Sequence, residues 1–557
     1  MGHLHLELLA LLLTPLVLFL PVRIRRIPGL RALSHRPWLV VAMVGVAGFT
    51  LPAIVCLQRW PVPLIHDEFS YLLAADTFAH GRLANDPHPH WEHFESFHIL
   101  QQPTYASKYP PAQGLFMALG QVTTGYPLVG KWLAAGVTAA ALSWMLFNWL
   151  PARAATLTSI FALHPLLVLW GENYWHAISP ALGGALVLGA LPGLLGKLRI
   201  RDSVIMALGA GLLANSRPFE GLALCLPVLG YLIFWIIRSP QAPSWRVVFC
   251  RIVAPAAVTL GAVFAWMMVY NQAVTGDPLT LPYKVHFERY CANPLFIFSK
   301  PPTPEPYRHW TLENFHTRWV RKYYDEAMRP DRFYRLLWTK PFGLLLEYSG
   351  LLAAVALLPL FSVLRRRWMW APALGLAGVL AAYDLATWSQ KHYAAPMLAP
   401  VVLLLAQGLR ALCAWRGSNG IGKRLCLWIL VGFIATNAVK ISQRHSTQPW
   451  GHRRDAIQRK LAESGRHLIF VRYKRSHDPH NEWVNNGADL NESPVVWAHD
   501  MGAAKNIRLL ESWPERKVWI IEPDNKDPRP RPYDPRAELA APPSARDGER
   551  TTESQQP

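Results

Sequence analysis

Long apolar runs, separated by more polar segments, recur through the first 441 residues. A run of about 20 apolar residues crosses a bilayer as a helix, because the hydrocarbon core is about 30 Å thick. The pattern predicts an α-helical polytopic membrane protein with about 11–12 transmembrane helices, the short run at 203–215 being the twelfth. The other runs lie near residues 4–22, 37–57, 128–149, 154–171, 177–196, 219–237, 250–270, 341–363, 369–387, 393–412 and 425–441.

Arg and Lys residues concentrate in short segments between these runs, and they give the predicted orientation. Cytoplasmic loops of membrane proteins carry an excess of both residues. If the basic clusters are all cytoplasmic, the long segments 58–127 and 271–340 face the other side, together with the residues after 442. The clusters lie at 23–36, 197–201, 238–251, 365–367 and 416–424.

The pattern changes after residue 450. A helix is predicted at 452–464, and β-branched or aromatic runs bounded by turn residues predict strands at 467–473, 494–498 and 517–521. We therefore divide the chain into a transmembrane domain over 1–441 and a small external α/β domain over 450–526. Residues 527–557 are rich in Pro, Arg, Glu and Ser, which predicts a disordered tail.

Charge and cysteine content narrow the functional classes. The net charge is +20, but much of it lies in the short loops, and no basic face is interleaved with aromatic residues. Nucleic acid is therefore not a predicted partner. The 6 cysteines form no CxxC pair, so they indicate neither a structural zinc site nor a disulfide framework.

Two adjacent carboxylates, Asp67 and Glu68, follow the run at 37–57. Charges near lipid are costly and usually serve chemistry or pair with a cation. Asp67 is the candidate general base for an acceptor hydroxyl, with Glu68 as its orienting partner. The alternative is that Asp67 only caps a helix that begins at Glu68. The apolar spacing over 69–78 predicts a short helix ending at Gly81.

A second motif, Lys108-Tyr109-Pro110-Pro111, lies in the same long segment. The two prolines stiffen the backbone and hold Lys108 and Tyr109 at a defined place on the outer face. Lys108 would bind either lipid headgroups in general or the phosphate of one lipid-linked donor.

These motifs resemble the GT-C glycosyltransferases, polytopic enzymes that transfer sugars from polyprenyl-phosphate carriers. The likeness is to the branch with the protein O-mannosyltransferases, the aminoarabinose transferases and the rhizobial lipopolysaccharide transferases. The shared pattern reads here His66-Asp67-Glu68-Phe69-Ser70-Tyr71, Ala74, Gly81 and Lys108-Tyr109-Pro110-Pro111. The resemblance implies that Asp67 lies at the active site, with His66 and Tyr71 as substrate contacts.

Other segments fit the same resemblance. The Arg217-Pro218 step implies that Arg217 binds donor phosphate, whereas an ion pair between Arg217 and Glu220 is the alternative. Lys391, His392 and Tyr393 resemble the basic and aromatic step of the family, and headgroup anchoring is the alternative for them. Glu172, in the polar loop 172–176, is a further candidate for substrate contact or for an interfacial belt.

No metal site and no cofactor are predicted. His88, His90, His93 and His98 lie on a Pro-containing stretch whose spacing is not a recognised zinc pattern, although some members of the superfamily use a divalent cation. A Gly-rich nucleotide loop is also missing from the sequence, as expected when a lipid carrier brings the donor through the bilayer.

The resemblance implies an inverting sugar transfer from a polyprenyl-phosphate donor to a lipid or glycan acceptor of the envelope. We expect this reaction at the periplasmic face of a bacterial inner membrane, with membrane lipids as the remaining partners. A transporter or flippase is the alternative from another class, because charged residues lie among the apolar runs and the pattern breaks near 203–218. A catalytically silent relative of the family is the third reading.

Overall fold

The computed structural model describes residues 12–14, 29–240, 243–415, 420–442 and 449–540. Most of the predicted first span, at 4–22, lies outside these residues. Within the described ranges, 8 helices are long and apolar enough to cross a membrane, and the chain is a multi-pass membrane protein. They are Pro37–Gln58, Pro127–Trp149, Ala152–Gly171, Ile178–Gly196, Pro218–Arg238, Trp245–Thr275, Lys391–Ala414 and Ile421–Ser442.

Three further predicted runs are not among these eight helices. Two form single helices, Ile200–Ala214 and Trp370–Leu385. The run at 341–363 is not one helix, so that part of the prediction is wrong. Its first helix, Pro330–Ser349, ends just before Gly350, where φ is +70°, and the chain continues as the 3-10 turn Ala353–Leu357 and the short helix Leu360–Leu364. Glycine accepts this left-handed backbone without a steric penalty, which is why the helix stops there.

Small residues set the distance between the first two long spans. A Cβ atom on Gly48 would lie 2.5 Å from the Cβ of Ala139, and one on Gly136 would lie 2.8 Å from the Gly45 carbonyl oxygen. Membrane helices pack closely through such residues, because lipid provides no hydrophobic driving force for their association.

The two long segments that are predicted to be external, 58–127 and 271–340, fold into further elements and are called the outer segments below. The first holds the helix His66–Ala79, which we call the site helix; the predicted helix is present, and it ends two residues before Gly81. It also holds the hairpin of β1 (Ile99–Leu100) and β2 (Ala106–Ser107). The remaining helical elements of these segments are Trp91–Phe94, Ala112–Thr124, Pro282–Tyr290, Trp310–Glu313, the π-helical turn Asn314–Trp319 and Val320–Met328. The helix Pro330–Ser349 begins in the second segment and continues beyond it, and the short helix Leu30–Ser34 precedes the span Pro37–Gln58.

The predicted C-terminal strands are confirmed. Strands β3 (His467–Val471), β4 (Val495–His499) and β5 (Lys517–Ile521) are parallel, and β6 (Arg531–Pro532) pairs antiparallel with β5 in the order β4-β3-β5-β6. The helices of this region are Pro449–Ala462, Ala503–Leu510 and Pro535–Ala540.

The predicted disordered tail begins too early. Residues 527–540 include β6 and the helix Pro535–Ala540, and Glu538 of that helix accepts a hydrogen bond from Arg472 at 3.2 Å. Sheet pairing and this ion pair hold a segment whose composition alone suggests disorder. Residues 541–557 lie outside the described part of the chain, and the exact domain bounds stay a prediction.

The C-terminal region packs on the first outer segment. The Asp76 carboxylate accepts a hydrogen bond from the Ala488 backbone at 2.7 Å, and the Tyr105 hydroxyl donates to the Asn486 carbonyl at 3.1 Å. These contacts join the sheet region to the site helix and to the hairpin beside it.

Candidate active site

Asp67 lies in the first turn of the site helix, which begins at His66 with Ile65 in the cap position. The capping alternative for Asp67 is therefore wrong, because the helix does not begin at Glu68. The helix dipole favours a carboxylate at this end. The Asp67 side chain keeps 25% of its surface exposed, so a substrate hydroxyl can reach it.

Glu68 forms the hydrogen bonds that hold this turn. Its carboxylate accepts from the backbone N–H groups of Leu64 at 2.8 Å and Ile65 at 3.3 Å, and from that of Tyr174 at 3.0 Å. Burial raises its pKa. Glu68 thus ties the site helix to the loop 172–176, and its role as the orienting partner of Asp67 stays a prediction.

Three side chains surround the Asp67 carboxylate. The Tyr109 hydroxyl donates to Oδ1, while Oδ2 lies 3.2 Å from Nδ1 of His66 and 3.6 Å from Nε2 of His98. Burial alone raises the pKa of Asp67, but His98, His66 and the Tyr109 hydroxyl outweigh it and hold the pKa well below its usual value. Asp67 is therefore an ionised carboxylate in an otherwise buried site.

Lys108 is placed next to this carboxylate by the hairpin. The Lys108 backbone donates to the His98 carbonyl at 3.1 Å, and Ser107 hydrogen bonds to Ser70 of the site helix at 2.7 Å. The Lys108 ammonium lies 5.2 Å from the ring centre of Tyr109 and 5.0 Å from that of Tyr283. Only 6% of Lys108 is exposed, and burial lowers its pKa.

Lys108 carries no ion pair within 4.0 Å among the residues that the structure describes. A buried ammonium without an ion-pair partner attracts an anion, because its own charge is costly to keep in a low dielectric. A carboxylate, Asp67, and a buried ammonium, Lys108, therefore lie near each other in this site.

A chain of aromatic rings connects Asp67 to the second cation, Arg217. Tyr109 stacks on Tyr71 with ring centres 4.4 Å apart, and His176 lies 5.3 Å from Tyr71. Arg217 donates from Nε to Nε2 of His176 at 2.6 Å, and its guanidinium lies 3.4 Å from the centre of the Tyr393 ring.

The rest of the predicted set divides into near and distant residues. The His392 ring lies 5.2 Å from His176, so it belongs to the site. Lys391 is instead 65% exposed and pairs with Glu347 at 3.1 Å. Glu172 follows the span that ends at Gly171, and the contacts described above for Asp67 and Arg217 do not include it. The ion pair between Arg217 and Glu220 is present but long, at 3.7 Å.

Sequence reasoning missed several neighbours. The sequence shows His176 only as part of the polar loop 172–176, and His98 only as one of four histidines without a recognised zinc spacing. His480 comes from the C-terminal region, and its ring stacks 5.6 Å from that of His66. No local pattern links these positions, because their contacts join separate elements of the fold, as His98 does with Asp67, His176 with Arg217 and His480 with His66.

His66, Asp67 and His98 also form a candidate cation site. Their donor atoms lie within 4.8 Å of one another, the one such cluster of His, Cys, Asp and Glu found among the described residues. Donors that share a zinc ion at about 2.1 Å lie at most about 4.2 Å apart, so a small inward shift would be needed. The prediction that the site works without a metal stays a prediction.

Comparison with known proteins places this geometry in a known fold. No protein-family model matches the chain, and no curated protein matches it. ArnT from Cupriavidus metallidurans bound to undecaprenyl phosphate superposes with a TM-score of 0.51 at 13% identity, over 87% of this chain and 92% of that chain. The oligosaccharyltransferase of Archaeoglobus fulgidus in the apo form gives 0.51 at 11% identity, over 88% and 69%. The chain therefore has the fold of the GT-C glycosyltransferases, and the resemblance seen around Asp67 is confirmed at the level of the fold.

Proposed function

We propose that the protein is an inverting glycosyltransferase that moves a sugar from a polyprenyl-phosphate carrier to a hydroxyl of a lipid or glycan acceptor. The observation that carries the proposal is the ionised, partly exposed Asp67 carboxylate beside the buried Lys108 ammonium. Asp67 would accept the proton of the acceptor hydroxyl, and Lys108 would stabilise the leaving phosphate. The solved ArnT structure of the same fold holds undecaprenyl phosphate, which supports a lipid phosphate as ligand.

The reaction needs one displacement at the anomeric carbon. The acceptor oxygen attacks this carbon, and the bond from the carbon to the phosphate oxygen breaks. The electron pair of that bond leaves with the polyprenyl phosphate, and the acceptor proton passes to Asp67. Because the pKa of Asp67 is low, proton transfer comes late, when the attacking oxygen has become strongly acidic.

The cations of the site would stabilise the departing phosphate. Lys108 acts as a point charge, and Arg217 offers planar N–H donors that match phosphate oxygens. The resulting inverted configuration follows from a single displacement without a covalent intermediate. We place the reaction at the periplasmic face of a bacterial inner membrane, supported by the basic clusters in the opposite loops.

The Asp67→Asn variant tests this function against transport. We first identify lipids that remain with the purified protein in nanodiscs by native mass spectrometry, and then measure sugar transfer from the identified donor. We expect Asp67→Asn to bind the donor and to lose transfer by about 10²–10⁴-fold, the range for a general base. Asp277→Asn, a change in an exposed loop, is the matched control.

Other outcomes would overturn the assignment. Retained transfer in Asp67→Asn removes Asp67 as the base. Movement of an intact lipid-linked sugar across the bilayer, with no transfer to any acceptor, supports the transporter reading instead.

A further inference from the structure

We propose that His176 is a positioning residue that holds the Arg217 guanidinium in the orientation that binds the donor phosphate. The inference rests on the proposed function, which gives Arg217 a phosphate to bind. His176 itself need not touch the phosphate, since it acts through the hydrogen bond that its Nε2 accepts from Nε of Arg217.

The hydrogen bond between the two residues fixes the protonation of His176. Nε of Arg217 always carries a hydrogen atom, and it lies 2.6 Å from Nε2 of His176. Nε2 must therefore be the unprotonated acceptor, and the proton of the neutral ring resides on Nδ1. Burial, followed by the charges of Arg217 and His392, lowers the pKa of His176 and keeps this neutral form.

The ring that accepts this bond cannot move freely. His176 is 3% exposed, and it packs against Tyr71 at 5.3 Å and against His392 at 5.2 Å between ring centres. Its backbone carbonyl also accepts from the Ser179 hydroxyl at 3.2 Å, at the start of the next span. The acceptor nitrogen is therefore presented from a fixed place.

Arg217 is held from two directions. His176 binds Nε, and the Tyr393 ring covers one face of the guanidinium at 3.4 Å. Glu220 lies 3.7 Å from Nη1, beyond normal hydrogen-bond range. A planar group fixed at Nε and on one face has a defined direction for its terminal Nη edge, which is the edge that binds phosphate oxygens in pairs. Without His176, the guanidinium would turn about its stem, and the pair of donors would no longer be aligned.

Two substitutions separate positioning from packing. The side-chain amide of His176→Gln reaches the place of Nε2 and keeps an acceptor for Arg217. The shorter amide of His176→Asn reaches only the place of Nδ1. Both variants remove the imidazole ring, so a role in packing alone predicts similar effects for the two.

The experiment measures binding of undecaprenyl phosphate to the full chain in nanodiscs by native mass spectrometry. We expect His176→Asn to weaken binding about tenfold, as for the loss of a charge-assisted hydrogen bond, and His176→Gln to stay within about threefold of wild type. In an Arg217→Ala background, His176→Asn should add no further loss, because its only route of action is gone. His88→Asn, a half-buried histidine outside the site, is the control and should bind like wild type.

The outcomes distinguish this inference from the function on which it rests. Equal losses in the Asn and Gln variants, or an undiminished His176→Asn effect in the Arg217→Ala background, overturn the positioning role alone. A wild-type protein that does not bind the lipid overturns the donor assignment and this inference with it. Size-exclusion profiles of all variants confirm that each is folded.

Discussion

At the scale of single residues, burial distinguishes Lys108 from the lysines at the surface. Lys108 is 6% exposed and lies 5.2 Å from the Tyr109 ring, whereas Lys284 is 60% exposed on an outer helix. We expect Lys108→Met to raise KM for the lipid-linked donor at least tenfold, because a buried cation near a leaving phosphate contributes to binding it. Lys284→Met is the matched control. Steady-state kinetics check both, and an unchanged KM in Lys108→Met would remove Lys108 from the phosphate site.

Sequence alone identifies the residues whose chemistry is unusual for their position. Asp67, Lys108 and Arg217 stand out because charges beside apolar runs need a reason. His98 and His176 do not stand out, since a histidine in a polar loop is unremarkable until its partners are known. The same limit explains Lys391, which has the expected residue type but pairs with Glu347 at 3.1 Å.

At the scale of elements, Gly130 lets the span Pro127–Trp149 pack closely against the helix Ala112–Thr124. A Cβ atom on Gly130 would lie 1.8 Å from the Phe116 carbonyl oxygen, which is backbone and cannot move aside alone. We expect Gly130→Ala to destabilise the protein by about 1–3 kcal/mol through overpacking. Gly261→Ala is the control, because nothing lies within 4 Å of its Cβ position. Thermal unfolding in detergent compares the two, and equal midpoints would contradict the close approach.

Histidines at the junction with the C-terminal sheet make that junction sensitive to acid. His309 stacks on His499 with ring centres 4.0 Å apart and contacts the Glu92 carbonyl at 2.7 Å. Burial lowers the pKa of His309 from 6.5 to about 4. Between these two pH values the folded state thus binds fewer protons than the unfolded state. The stability of the junction is therefore unaffected by His309 above pH 6.5 and decreases as the pH falls toward 4.

We expect protonation of His309 alone to lower the free energy of unfolding of the junction by up to about 3 kcal/mol between pH 6.5 and 4. Hydrogen exchange of residues 449–540 as a function of pH measures the effect. His309→Gln, which keeps a donor for the Glu92 carbonyl but does not titrate in this range, should flatten the pH dependence. A slope identical to that of wild type would show that other groups control the junction.

Helices and strands were predictable where burial in the bilayer or in the sheet produces a continuous apolar run. The spans and the strands β3 to β5 follow directly from the apolar runs. The interruption at Gly350 was not predictable, because the surrounding residues are apolar enough for a continuous helix. The ordered segment 531–540 was missed for the opposite reason, since its polar composition hides a strand that depends on pairing with β5.

At the scale of the whole molecule, the arrangement of the C-terminal region over the site is the least predictable feature. His480 reaches His66, and Ala488 binds Asp76, across more than 400 residues in each case. The periodicity of a sequence reports local structure, whereas such contacts depend on how separate units meet. This arrangement requires the C-terminal sheet and Asp67 to lie on one side of the membrane.

The side of the membrane on which the C-terminal region lies therefore tests the proposed transfer at the periplasmic face. Glu492 lies in the C-terminal region with 75% of its side chain exposed. Arg201 belongs to the basic cluster 197–201, at the start of the helix Ile200–Ala214, and 58% of its side chain is exposed. In a background with the native cysteines replaced by serine, we expect Glu492→Cys to react with a membrane-impermeant maleimide added to intact spheroplasts. Arg201→Cys should react only after the membrane is permeabilised, because basic loops stay in the cytoplasm. The reverse labelling would place Asp67 on the cytoplasmic side and would contradict transfer at the periplasmic face, whereas the fold itself would stand.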